Sequence, residues 1–171
     1  MLRHFKDNYV ETTPELISEL EKLQLRPVPN WLGDFKFRMI KRFTENNAFS
    51  EFHTVIQCEL IKLAALVPDQ QFNTVFIQRY EPGQAVHQHR DPRNNIGHTV
   101  IGLYGTNWKT HFIHYTRGPT NPDTFIQRPG DVMVVPCTLG GVQGRPHEMY
   151  WAEDHQDEMT TRWAIILNTI I

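Results

Sequence analysis

Apolar residues recur at helical spacing through the first third of the chain. Thr12 or Thr13 is placed to cap a helix, with Pro14 in its first turn and Glu15 set for a capping box. Leu16, Leu20 and Leu23 then share one face, and Arg26-Pro27-Val28-Pro29-Asn30 ends the run. A second stripe, Phe52, Ile56, Leu60, Leu63 and Val67, starts near Ser50 and stops at Pro68. Both stripes read as packing faces. Between them, Phe35-Lys36-Phe37-Arg38-Met39-Ile40-Lys41-Arg42-Phe43 alternates apolar and basic residues. It reads as an amphipathic edge strand with solvated charges, or as a surface that stacks bases and contacts phosphates.

From Phe72 the period shortens. Eight β-rich runs follow, at 72–80, 85–89, 99–104, 111–115, 124–128, 132–136, 147–151 and 162–171. Pro82-Gly83 and Pro129-Gly130 suit the central positions of type II turns. Eight short strands behind a helical lead-in predict an α+β, mainly β fold. The architecture expected is a double-stranded β-helix, or jelly roll, with N-terminal helices packed on one sheet. A single domain spans 1–171, with a helical lead-in over 1–70 and the jelly-roll core over 71–171.

Length agrees with one domain, since 171 residues are too few for two. Hydrophobic residues at 40% and charged residues at 21% describe a globular chain. No apolar run nears the ~18 residues of a spanning helix, and Met1 to Asp7 has no apolar signal region, so neither membrane nor secretion is expected. Cys58 and Cys137 make no disulfide framework and read as buried small hydrophobes, which points to a reducing cytoplasm. A net charge of −2 excludes nucleic-acid coating by bulk positive charge and leaves room for a local basic patch. A monomer is expected. The unusual number is 9 histidines, and spacing has to choose among them.

His89-Arg90-Asp91 is the first anchor. Residues i and i+2 of an extended strand point the same way, so this imidazole and carboxylate can grip one ion. A third ligand must come from a distant strand, and His147 opens such a strand. Two histidines and a carboxylate with open positions make the facial triad of non-haem Fe(II) oxygenases. Arg162 opens the apolar run Trp163-Ala164-Ile165-Ile166-Leu167, where a guanidinium is costly unless paired with an anion. Its planar fork suits a carboxylate, as a 2-oxo diacid co-substrate beside the iron would supply. A competing reading takes His87 and His89 as cupin-type ligands, but 90–96 lacks the glutamate that such a site adds. His111 and His114 read as facing solvent or a groove, His98 as a turn residue, and His4, His53 and His155 as incidental. The acidic stretch 153–158 reads as a solvated loop or a lid.

At these residues the sequence resembles the 2-oxoglutarate/Fe(II)-dependent oxygenase superfamily, and within it the nucleic-acid branches. Phe72 to Gly83 followed by His89-Arg90-Asp91 is similar to the AlkB-type lead-in: a strand tyrosine, a Pro-Gly turn, then H-x-D. The stretch Gly130 to Val135 ahead of His147 is also similar. The resemblance implies Fe(II) held by His89, Asp91 and His147, with 2-oxoglutarate and O2 as co-substrates. It places 2-oxoglutarate against Arg162 and Tyr80, with Gln78 where that family usually has asparagine. AlkB proteins carry a second arginine where this chain has Asn168, and acidic residues where it has Arg93 and Asn94. His89-Arg90-Asp91-Pro92-Arg93-Asn94, then Gly97-His98-Thr99-Val100, resembles the TET/JBP signature, with a single arginine opening the last strand. That likeness implies hydroxylation of a nucleobase methyl group, 5-methylcytosine in DNA to 5-hydroxymethylcytosine, with Arg90 and Asn94 positioning the nucleic acid. The cysteine-rich elaborations of that branch are absent, which suits a minimal microbial or phage enzyme acting in a host cytoplasm. The other readings are AlkB-like removal of N-alkyl groups, and hydroxylation of a protein or small molecule.

Overall fold

A computed structural model describes residues 4–41, 49–91, 94–107, 111–116, 123–137, 147–152 and 160–171. The acidic stretch 153–158, with His155, and the end of the alternating basic segment lie outside these residues, as do Arg93 and Gly144-Arg145-Pro146.

Thr13, not Thr12, caps the first helix. In α1 (Pro14–Glu21) the Leu16 amide donates to Thr13 Oγ1 at 3.1 Å. Glu15 then stands at the second helical position rather than the third, so the expected capping box does not form. Thr12 is engaged elsewhere, its Oγ1 accepting the Gly105 amide at 3.0 Å. The second helix, α2 (Thr54–Ala64), starts behind His53, whose Nδ1 accepts the Val55 amide at 3.3 Å. A histidine read as incidental is therefore a helix cap. Cys58 on α2 is exposed, contrary to the expected burial, because the helix buries the Ile56, Leu60 and Leu63 face.

Eleven strands follow in chain order among the described residues. They are β1 (His4–Lys6), β2 (Arg26–Pro27), β3 (Lys36–Lys41), β4 (Thr74–Tyr80), β5 (Val86–His89), β6 (Asn95–Tyr104), β7 (Phe112–Thr116), β8 (Asp123–Gln127), β9 (Val132–Pro136), β10 (His147–Trp151) and β11 (Arg162–Ile170). Each of the eight expected runs is a strand. They form two antiparallel sheets, one of seven strands in the order β1-β9-β6-β11-β4-β3-β2 and one of four in the order β5-β10-β7-β8. This is the double-stranded β-helix. Both expected Pro-Gly turns are present, with Gly83 at φ 84° and Gly130 at φ 97°, conformations that favour glycine.

The lead-in over 1–70 is not helical alone, because it also supplies β1, β2 and β3 to the larger sheet. The alternating segment becomes β3, flanked by β4 and by the two residues of β2. Phe35 is buried, and the Arg26 guanidinium lies 5.1 Å over the Phe37 ring. Phe35 and Phe37 are thus engaged within the fold, Phe37 remaining half-buried, and Phe43 lies outside the described residues.

The larger sheet has two buried faces, which explains why β11 reads as a continuous apolar run. Trp163, Ile165 and Leu167 pack with Val75 and Ile77 of β4 beneath the two helices. The opposite face turns Tyr80, Leu103 and Ala164 toward Phe112, Met149 and Trp151 of the smaller sheet. At ~1.5–3 kcal/mol for each fully buried large apolar side chain, these two layers hold the sheets face to face and leave a chamber between them. No helix among the described residues is long and apolar enough to cross a membrane.

Candidate metal centre

Antiparallel pairing of β5 with β10 sets His89 directly opposite His147. Their rings lie 4.3 Å apart at 59°. Asp91 follows two residues after His89, and its Oδ1 is 3.6 Å from His89 Nε2 and 3.5 Å from His147 Nε2. One donor atom from each of the three residues falls within 4.8 Å of the others. An ion bound at ~2.1 Å holds its ligands no more than about 4.2 Å apart, so sub-ångström side-chain movement closes this set on a metal. Partial burial pushes the Asp91 carboxyl up. The adjoining His147 and His89 rings outweigh it and hold the group well below the usual carboxylate range.

A bulge decides which histidine of β5 takes part. Where β10 advances from His147 to Met149, β5 runs from His89 back to Val86, one residue more. Val86 and His89 both turn into the chamber, while His87 and Gln88 are exposed. A regular strand would have pointed His87 the same way as His89, as the cupin reading required. The His87 carbonyl instead accepts from His89 Nδ1 at 2.8 Å. A carbonyl only accepts, so the proton sits on Nδ1 and Nε2 offers its lone pair at the centre.

The chamber beside the triad measures ≈ 300 Å³ and is mostly apolar. Gln78 and Tyr80 both line it, and the Tyr80 hydroxyl donates to Gln78 Oε1. Phe35 stacks on Tyr80 at 4.7 Å, and Phe112 meets Tyr80 edge-on at 5.2 Å. Burial among these rings drives the Tyr80 phenol well above its ordinary value. Phe112 meets Trp151 at 4.8 Å, and the Arg162 guanidinium lies 5.4 Å from the Trp151 ring centre. Arg162 is thus fully buried one aromatic layer behind the chamber wall, and its Nη2 donates to the Asn107 carbonyl. Burial lowers its pKa to about 10, so it remains a cation at neutral pH.

Of the two residues expected to meet nucleic acid, Arg90 lies on the chamber rim and Asn94 does not line it. Asn94 is exposed ahead of β6, its carbonyl accepting the Ile171 amide at 3.0 Å. The next residue, Asn95, begins β6 and turns inward. His111 is buried, contrary to the expected solvent or groove. His114 does face the chamber, 2.7 Å from Gln127 Oε1. Gln127 Nε2 donates to the Ile101 and Asp131 carbonyls, so its Oε1 accepts and His114 carries a proton on Nε2. The groove reading of His114 holds, whereas Asn95, Asn168 and Gln127 were not legible as chamber residues. For Asn168 the signal was present in its even spacing from Arg162 along one strand.

No protein-family model matches the sequence, and no curated protein matches it. Solved structures do. A Pseudomonas putida prolyl-4-hydroxylase superposes with a TM-score of 0.58 at 11% identity, over 99% of this chain and 92% of that one. OsALKBH1 gives 0.59 at 10% identity, over 98% and 97%. An oxidoreductase of the 2OG-Fe(II) oxygenase family from Burkholderia pseudomallei gives 0.60 at 17% identity, over 91% and 77%. At such identities the likeness is one of fold.

Proposed function

We propose that this chain is an Fe(II)- and 2-oxoglutarate-dependent dioxygenase that hydroxylates a methyl group on a nucleobase, with 5-methylcytosine in DNA as its substrate. The observation that carries the reading is the meeting of His89, Asp91 and His147 within 4.8 Å in the lining of a mostly apolar chamber. Two imidazoles and one carboxylate leave coordination positions open, as non-haem Fe(II) oxygenases require. The fold shared with solved structures named prolyl-4-hydroxylase, ALKBH1 and 2OG-Fe(II) oxygenase supports it.

Bound iron would supply the activation of O2, coupling oxidation of the substrate to decarboxylation of the co-substrate. In balance, R–CH3, O2 and 2-oxoglutarate give R–CH2OH, succinate and CO2. The protein's own residues set the geometry. His89 is held in one tautomer by the His87 carbonyl, and Asp91 stays ionised between two imidazoles. Arg162 would take the far carboxylate of the co-substrate, which has to reach past the Phe112 and Trp151 rings to its buried guanidinium, and Tyr80 with Gln78 supplies the polar wall between. The aromatic lining excludes water. Arg90 at the rim is the local cation for a phosphate, and a duplex base reaches the chamber only by flipping out.

The test is succinate release with Fe(II) and 2-oxoglutarate, followed by mass spectrometry of products from DNA carrying 5-methylcytosine, DNA carrying 1-methyladenine, and a peptide pool. Hydroxymethylcytosine is the expected product. Succinate released as fast by His89→Ala and His147→Ala as by the parent would end the proposal.

A further inference from the structure

Asn95 and Asn168 line the chamber, and the Oδ1 of each is buried with no hydrogen-bond partner among the described residues. Their residues are 5% and 8% exposed. A buried carbonyl oxygen left without a donor costs on the order of 1–3 kcal/mol, so two in one cavity call for a ligand that satisfies them.

The orientation of Asn95 follows from its neighbours. Thr99 Oγ1 lies 3.2 Å from Cys137 Sγ and 3.4 Å from Asn95 Nδ2. Thr99 Oγ1 accepts from the Asn95 amide nitrogen, which leaves Oδ1 without a partner. Asn168 lies on β11 beside β6, where Ile170 is the partner of Asn95. Asn168 and Ile170 share a face, so the two asparagines are diagonal neighbours, a separation on the order of 7–8 Å that side chains bridge. Both share the chamber lining with His89, Asp91 and His147.

The co-substrate cannot satisfy these oxygens. At neutral pH 2-oxoglutarate carries only acceptors, and carbonyl oxygens repel it. Arg162 also lies six residues before Asn168 on the same strand, about 20 Å away at ~3.3 Å per residue. The two ends of β11 therefore suit different ligands, an anion at Arg162 and a hydrogen-bond donor at Asn168.

We infer that Asn95 and Asn168 form the specificity subsite for the substrate base and that they take its exocyclic amino group, one N–H to each oxygen. This rests on the nucleobase reading above and narrows it. Cytosine carries that amine on the carbon next to the one bearing the methyl group. Thymine carries the same methyl beside a carbonyl oxygen, which would face both asparagine oxygens unpaired. A site built to hydrogen-bond a donor rejects the analogue lacking it strongly, here by roughly a hundredfold or more.

Two measurements on the full chain test this. Fluorescence anisotropy compares binding of a single-stranded oligonucleotide with one central 5-methylcytosine against the same strand with thymine there. Product analysis compares hydroxylation of the two strands. The wild type should prefer the 5-methylcytosine strand in both, and Asn95→Leu and Asn168→Leu should each reduce the preference by about tenfold or more. Circular dichroism checks that the variants are folded, and Asn95→Ser and Asn168→Ser, which are smaller and polar, stand in for any that is not. Hydroxylation of the 5-methylcytosine strand with its preference over thymine intact in the variants would overturn the inference and leave the enzyme reading standing. A raised KM for 2-oxoglutarate without loss of preference would overturn it too, by moving these residues to the co-substrate. A wild type that binds the two strands equally and hydroxylates neither would overturn the inference together with the nucleobase reading.

Discussion

Arg162 shows how much chemistry one side chain takes from its surroundings. It has no exposure, an aromatic ring on one side and a backbone carbonyl in front. Burial lowers its pKa to about 10, yet leaves it charged at neutral pH. A charge kept at that cost suits an anion held bidentately. Replacing it by lysine keeps the charge and loses the fork, so Arg162→Lys should raise the KM for 2-oxoglutarate by about tenfold or more. Fe(II) affinity, measured by calorimetry without co-substrate, should change far less. Equal loss of both would place Arg162 in the metal site's scaffold instead. The same contrast explains what the sequence made readable. A guanidinium at the head of an apolar strand and an H-x-D pair are conspicuous because their chemistry is costly or specific wherever they stand. Asn95, Asn168 and Gln127 are ordinary polar residues whose meaning lies in the face they present, and that depends on register.

At the scale of elements, spacing located the strands from β4 to β11 because alternation and turn chemistry are local. It missed β1 and β2, while β3 was legible as an amphipathic strand near the sheet edge, with only β2 outside it. The first two are three and two residues long, and short strands exist only through a partner remote in sequence. The bulge in β5 was equally hidden. A bulge is a relation between two strands, and this one separates His89 from His87. The caps were only half legible, since Thr12 and Thr13 offer the same hydroxyl and tertiary contact chose between them. Thr13→Ala should cost about 1 kcal/mol, read as a lower urea midpoint with unchanged slope. Metal affinity should be untouched, because α1 packs on the far face of the larger sheet from the triad. Gly105 shows the opposite dependence. A β-carbon there would run into the Arg162 guanidinium. Gly105→Ala should therefore weaken 2-oxoglutarate binding while Fe(II) binding persists. A variant with a normal co-substrate KM would mean that Arg162 has room to shift.

The described strands are unevenly held, and the candidate metal centre sits on a lightly tied edge. β11 lies at the middle of the seven-stranded sheet with a full-length partner on each side. β5 is an edge strand of four residues, tied to β10 at two register positions and to the 32–33 segment by one bridge and one hydrogen bond. Local opening of β5 breaks few contacts and so costs less than global unfolding. Two of the three ligands, His89 and Asp91, belong to that strand and its exit, and the third belongs to β10. A bound ion therefore staples the edge, and β5 cannot open without releasing it. At a metal concentration a hundred times its dissociation constant, this linkage is worth about 2.7 kcal/mol. Amide exchange in β5 should then slow by about a hundredfold on adding Mn(II) without co-substrate. The amides of α1, which fray without disturbing the triad, should keep their rates. Asp91→Ala should abolish the slowing in β5. Equal slowing of α1 and β5 would mean that the edge opens only when the entire domain does.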